Sequence, residues 1–135
     1  MLEFRLQVRV YLEDTDAQGV VYNASYFRFM ERARTEWLRE QGIDHDDLRD
    51  RYGVMLLLSG VEARFKAPAR LSDMLFVAAD VTKVGGTRII FDQSVTRNAA
   101  DGELVCAGTA EVACVDVLRG KPKRFPGVLL KELKQ

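Results

Sequence analysis

Only one stretch of this chain repeats its apolar residues at helical spacing, and nearly everything after it reads as strand. Between Asn23 and about Gln41, the residues Tyr26, Met30, Ala33 and Trp37 recur at i, i+4, i+7 and i+11. Phe27, Phe29 and Leu38 widen that stripe. The opposite side carries Arg28, Glu31, Arg32, Thr35, Glu36 and Arg39, with Arg32 and Glu36 spaced as an i, i+4 ion pair. Asn23 has the chemistry of an N-cap, because its side-chain oxygen can accept from an unpaired first-turn N–H. Gly42 supplies a stop. A single apolar stripe has no second long helix to lie on, so it must be buried against a sheet.

The strands that would form that sheet are legible. Phe4 to Leu12 alternates, with Leu6, Val8 and Val10 on one face and Gln7 and Arg9 on the other. After a short charged segment, Asp44 to Tyr52, with room for a helix turn or two, Val54 to Lys66 reads as strand and breaks at Lys66-Ala67-Pro68-Ala69-Arg70. Met74 to Val84 ends at the hairpin signal Gly85-Gly86, and Thr87 to Asn98 follows, with Ile89, Phe91 and Val95 opposite Asp92, Ser94 and Thr96. Asp101-Gly102 is a second hairpin signal, leading into Glu103 to Leu118. Three strands joined by tight turns form an antiparallel meander. The expectation is one α+β domain over residues 1–135, a curled antiparallel sheet around one long helix. A second copy would cover an edge strand or the open face. A second domain would have too few residues left for its own core.

Scarce residues exclude several chemistries. Twenty Lys plus Arg balance twenty Asp plus Glu, which removes the electrostatic footprint of a nucleic-acid binder. The longest apolar run, Met74 to Ala79, is six residues, whereas a membrane helix needs about 20. The N-terminal MLEFRLQVR has charges where a signal peptide needs its apolar stretch, so a cytoplasmic protein is expected. The two cysteines, Cys106 and Cys114, fall in one strand, about 27 Å apart at strand rise. A disulfide needs less than about 7 Å, so they read as core thiols in a reducing compartment. The one histidine, His45, sits among Asp44, Asp46, Asp47 and Arg49 and takes no catalytic role. No metal site is expected, and the serine-nucleophile turn G-x-S-x-G is missing.

Glu13 to Asn23 is where chemistry could sit, since it puts carboxylates on a loop leading into a helix N-terminus. Such an N-terminus offers unpaired N–H groups and partial positive charge. Those donors could hold an oxyanion while a neighbouring carboxylate attacks or activates water. By residue type alone, Asp and Asn in loops more often form turns and caps.

The ordered set Asp14-Thr15-Asp16-Ala17-Gln18-Gly19-Val20-Val21-Tyr22-Asn23-Ala24-Ser25-Tyr26 and Phe29-Met30-Glu31-Arg32-Ala33-Arg34 resembles the signature of hotdog-fold acyl-CoA thioesterases. The likeness is to the 4-hydroxybenzoyl-CoA thioesterase group and, within it, to the tol–pal-associated acyl-CoA thioesterases. It continues through Phe65 to Asp73, Gly86-Thr87-Arg88, Cys114-Val115-Asp116 and Lys121-Pro122. The resemblance implies a hotdog fold and hydrolysis of acyl-CoA to free acid and coenzyme A. It needs no cofactor beyond the coenzyme A of the substrate. By position, the family's catalytic carboxylate falls on Asp16, as nucleophile or general base, and its oxyanion donor on the backbone N–H at Asn23. Many tol–pal-associated members carry histidine at that place, so a backbone role is what carries over. The resemblance also implies a homodimer or homotetramer with sites shared between subunits.

Residues 119–135 hold six basic residues and one acidic, leaving the rest of the chain net acidic. Lys121, Lys123 and Arg124, with Arg88 after the Gly85-Gly86 turn, are candidates for the phosphates of coenzyme A. Tyr22 and Tyr26 read as core or pocket-lining residues and Glu31 as a solvated helix residue. The competing reading is a non-catalytic acyl-binding or scaffold protein of the same fold, tied to acyl carrier protein or envelope lipid metabolism. A hotdog dehydratase would need a well-placed histidine.

Overall fold

The computed structural model describes residues 4–133. Its elements are β1 (Phe4–Arg9), α1 (Asn23–Glu40), α2 (His45–Tyr52), β2 (Val54–Phe65), β3 (Met74–Val84), β4 (Arg88–Arg97), β5 (Glu103–Asp116) and α3 (Gly127–Leu133). The five strands form one antiparallel sheet in the order β1-β3-β4-β5-β2, so the expected meander β3-β4-β5 is its centre. The α+β expectation holds, and α1 starts and ends within a residue of the helical period.

The stripe on α1 decides where the helix lies. Tyr26, Phe29, Met30, Ala33 and Leu38 are buried, and α1 packs chiefly against β3 and β1. They share one core with Leu75, Val77, Ile89, Phe91 and Val95, and Trp37 meets the Phe91 ring edge-on at 5.7 Å. Burying side chains of this size stabilises by roughly 1.5–3 kcal/mol each. Because α1 sits toward the β1 side, it leaves part of the sheet's inner face uncovered. Leu58, Val61 and Phe65 of β2 pair with Val112, Ala110 and Cys106, which are buried. Directly opposed residues share a face of the sheet. All three therefore point to the helix side, yet they are 49%, 43% and 43% exposed. An apolar trough runs between α1 and β2.

Some local expectations are corrected. Tyr22, not Asn23, occupies the N-cap position of α1. Glu36 bonds Arg39 at 3.2 Å instead of Arg32, one turn closer to the helix end. In the β3–β4 hairpin, Gly85 N–H donates to Arg88 O at 2.7 Å, so the two turn residues are Gly86 and Thr87. The charged segment forms all of α2, because Asp44 Oδ1 accepts from Asp46 and Asp47 N–H and Gly53 closes it at φ +67°. Helix α3 was hidden in a segment read only for its charge. Its Leu129 and Leu133, with Phe125, pack on Leu38, Ile43, Leu48 and Leu56.

Cys106 and Cys114 are free, buried core residues. Burial pushes both thiols up to about 11. Since the folded state holds these protons more tightly than the unfolded chain, the associated stability is intact below pH 9 and lost as pH rises through 11. By that point it amounts to roughly 2 kcal/mol per thiol. Thermal melts should therefore fall between pH 9 and 11, and a Cys106→Ala/Cys114→Ala variant should show a shallower fall; an identical slope would contradict the burial argument. A second test concerns close strand approach. A Cβ on Gly108 would lie 2.0 Å from the Glu62 carbonyl oxygen, whereas one on Gly60 meets nothing within 4 Å. Gly108→Ala should cost about 2 kcal/mol or more in urea unfolding, and Gly60→Ala about 0.5 kcal/mol or less.

Candidate active site

The loop between β1 and α1 is built around one buried carboxylate. Asp14 is 5% exposed. Its Oδ2 accepts from Tyr11 N–H at 2.9 Å, and its Oδ1 from the Arg28 guanidinium at 3.2 Å. Its carbonyl oxygen accepts from Tyr22 N–H at 2.9 Å and Ser25 Oγ at 3.3 Å. One residue thus ties together the start of the loop, its end and the first turn of α1. A buried carboxylate is tolerated because these donors replace its water.

Between the two ends the chain forms a miniature hairpin. Thr15 bridges Val21, Asp16 N–H donates to Val20 O at 2.9 Å, and Gly19 N–H donates to Asp16 O at 3.0 Å. Gly19 turns the chain at φ +80°, a conformation that L side chains resist. The hairpin is fastened to the 69–73 segment by a Val20–Arg70 bridge and by Val21 N–H to Ala69 O at 2.8 Å. Those are the residues that break the strand run after Phe65.

Asp16 lies in this hairpin, half-buried. Its Oδ1 accepts from Gln18 N–H at 2.8 Å, the Asx turn that its residue type allows. Its Oδ2 takes no hydrogen bond from another described residue. Asn23 is the first helical residue and is exposed. Being inside the helix, its side chain does not cap, and Tyr22 makes no side-chain cap either. Ser25 N–H already donates to Tyr22 O at 2.8 Å, whereas the Asn23 and Ala24 N–H groups keep the donor capacity expected of a helix N-terminus. An apolar margin adjoins it. Phe27 is 37% exposed and meets the Phe65 ring edge-on at 6.3 Å, at the head of the α1–β2 trough. Tyr26 also packs against Phe65, at 5.7 Å, and burial raises its phenol to about 12, so it is a packing residue. Tyr22 is exposed at 57%.

The cationic candidates divide into two groups. The Arg124 guanidinium lies over the β3–β4 turn, where a Cβ on Gly86 would sit 2.6 Å from its Nη1. Phe125 N–H fastens the same place by donating to Gly86 O at 2.8 Å. Arg88, two residues on, is ion-paired to Glu111 and lines a cleft of about 280 Å³ with Lys83 and Thr87. Lys123 instead lies 3.9 Å from Asp116, and Lys121 is exposed beside the end of β5. A cleft of about 500 Å³ lined by Glu62, Arg64, Asp92 and Thr109 does not include Asp16 or Asn23. His45 and Glu31 both border a cleft at the far end of the trough. Sequence reasoning passed over Asp14, because a carboxylate in a polar loop reads as solvated until its partners are known. It also passed over Arg34, a charge placed on the apolar stripe four residues after Met30 and four before Leu38.

Comparison with known proteins shows the family and the fold. A profile of the thioesterase-like superfamily matches residues 10–133. The acyl-CoA thioester hydrolase YbgC of Escherichia coli O6:H1 is 42% identical over 98% of this chain and 96% of its own. The acyl-CoA thioesterase YbgC of Haemophilus influenzae is 40% identical over 91% of this chain and 88% of its own. Among solved structures, a probable thioesterase from Bartonella henselae superposes with a TM-score of 0.85 at 30% identity, over 93% of this chain and 100% of its own. A 1,4-dihydroxy-2-naphthoyl-CoA thioesterase from Synechocystis shares the fold at a TM-score of 0.89 and 23% identity, over 99% of this chain and 97% of its own.

The two carboxylates of the loop should separate in a stability measurement. Asp14→Ala leaves the Tyr11 and Arg28 donors without their acceptor and should cost about 1–3 kcal/mol. Asp16→Asn keeps an oxygen for the Gln18 N–H and should change stability by about 0.5 kcal/mol or less. Equal losses in chemical denaturation would show that Asp16, too, holds the loop.

Proposed function

The chain belongs to the thioesterase-like superfamily and is a thioesterase of the hotdog fold, and from that premise we propose that it hydrolyses acyl-CoA thioesters using Asp16 as its carboxylate and the backbone N–H at Asn23 as its oxyanion donor. The observation that carries this reading is the Asp14-pinned hairpin. It holds Asp16 with one oxygen occupied and the other open, seven residues ahead of an uncapped helix start.

The chemistry needs little else. As the thioester carbonyl carbon is attacked, negative charge gathers on its oxygen. The N-terminus of an 18-residue helix offers about half a positive charge and unpaired N–H donors for it. Asp16 Oδ2 either attacks the carbon, expelling the coenzyme A thiolate and leaving an acyl-aspartyl anhydride for water to cleave, or removes a proton from the water that attacks. Both routes release the free acid and coenzyme A. A thiol of pKa near 8.5 leaves as thiolate without an acid to protonate it, so a site without histidine suffices. The α1–β2 trough, with Phe27, Phe65, Val61 and Leu58 on its walls, is the seat for the acyl group. Arg88 and Arg124 flank the β3–β4 turn, about 30 Å along β3 from the Asp16 hairpin, so they would face the coenzyme A phosphates of a neighbouring subunit's site, with Lys121 and Lys123 further out. A homodimer or homotetramer would cover the exposed apolar residues of edge strand β2 and complete each site at the subunit boundary.

Thiol release from a series of acyl-CoAs tests this directly. Asp16→Asn should lower kcat by about 100-fold or more with its melting temperature unchanged. Asn23→Ala, which keeps the backbone donor, should stay within a few-fold of wild type. Arg88→Gln/Arg124→Gln should raise KM by about tenfold with little change in kcat, the loss of about 1.4 kcal/mol of binding. Near-wild-type turnover in the Asp16 variant would remove it from the reaction.

A further inference from the structure

Arg34 is a charged residue in a position built for an apolar one. It is 7% exposed. Its Nη1 donates to the side-chain oxygen of Gln93 at 2.8 Å, and the Gln93 amide in turn donates to Met30 O at 2.9 Å and Ala78 O at 3.4 Å. Gln93 is therefore clamped on the sheet and presents its oxygen to the guanidinium. The one opposite charge that acts on it among the described residues is Glu31, one turn earlier and exposed, and no ion pair within 4 Å involves Arg34 among them. A buried cation whose only protein partner is neutral is costly unless something anionic joins it.

The surroundings show where such a group would enter. Arg34 lines a cleft of about 240 Å³ with Glu31, Leu56, Leu58, Phe91 and Val112. Among the described residues no buried side-chain nitrogen or oxygen lacks a partner, so the guanidinium nitrogens not bonded to Gln93 open on that cleft. Leu58 is half-exposed although it faces the helix, which marks the gap in the core. The cleft is the far end of the α1–β2 trough. From Asn23 to Arg34 is eleven residues, about 16 Å along the helix, and a helical side chain leans back toward the N-terminus.

We propose that the Arg34 cleft binds the carboxylate of a ligand with an apolar body, the guanidinium taking the carboxylate in its fork while Leu56, Leu58, Phe91 and Val112 hold the carbon chain. A planar guanidinium held rigidly by one amide oxygen matches a carboxylate better than it matches a neutral polar group. Glu31 at the margin is solvated and weakens the attraction without filling the cleft. The carboxylate could come from a free acid of the kind thioester hydrolysis releases or from the distal end of a dicarboxylic acyl group; only the second rests on the thioesterase reading.

Binding is measured first on the wild-type protein, without turnover, so its failure is distinct from failure of the enzymatic assignment. Hexanoate should shift the side-chain amide resonances of Gln93 in a saturable way and bind at least tenfold tighter than hexanamide. Equal binding of the two, or shifts that avoid Gln93, would overturn the proposal. Glu31→Gln should tighten hexanoate binding several-fold, and no tightening would count against it. Kinetics then separate the sources. If Arg34→Lys lowers kcat/KM tenfold or more for the monothioester of a ten-carbon diacid but little for decanoyl-CoA, the cleft reads the acyl end. If it relieves inhibition by hexanoate with no such difference, the cleft reads the free acid. If it does neither, the site does not exist.

Discussion

The buried carboxylate of Asp14 holds together a loop that would otherwise have little reason to take one shape. Seven residues separate it from Tyr22, and they are mostly polar or small, with a glycine in the left-handed region at position 19. By accepting from Tyr11 and Arg28 through its side chain and from Tyr22 and Ser25 through its carbonyl, Asp14 sets both the exit of β1 and the entry of α1. The positions of Asp16 and of the helix N-terminus follow from that closure. Charged hydrogen bonds away from water are stronger than surface ion pairs, which suits a residue that must order its neighbours without touching a ligand.

The second constraint is the lateral placement of α1. A helix centred on five strands would bury the whole inner face; this one favours β3 and β1 and leaves Leu58, Val61 and Phe65 of β2 half-exposed on its helix side. That displacement gives the fold its trough. One end of the trough is the helix N-terminus with Phe27 and Phe65, and the other is the Arg34 cleft. The same bareness falls on an edge strand twelve residues long, so space for an acyl group and pressure to associate arise from one packing choice.

Much of this was legible in the chain. The switch from period 2 to helical period and back locates α1 and the strands, because burial on one face imposes periodicity whatever the partner is. Asp16 and Asn23 were found as residue types in a suggestive order, and the resemblance gave them roles; their hydrogen bonds could not be read from spacing. The capping assignment to Asn23 missed by one residue because capping depends on which residue leaves the extended region, and Tyr22 does so at the end of the miniature hairpin. Asp14 and Arg34 escaped notice for one reason. Each is a charge inside the protein, and residue type argues for the surface until the partners that compensate it are known. Helix α3 was obscured by the lysines around Leu129 and Leu133.

In the proposed site, one carboxylate oxygen of Asp16 and the N–H at the start of α1 face the two atoms of a single thioester carbonyl. A crystal structure with an acyl-CoA analogue in which methylene replaces the thioester sulfur tests it most directly, since the ketone keeps the carbonyl but cannot be hydrolysed. The ketone oxygen should lie about 2.7–3.1 Å from the Asn23 nitrogen and the carbonyl carbon about 3–3.5 Å from Asp16 Oδ2, directly or through one water. A ketone bound elsewhere, with Asp16 still closed on the Gln18 N–H and remote from the carbonyl, would contradict it.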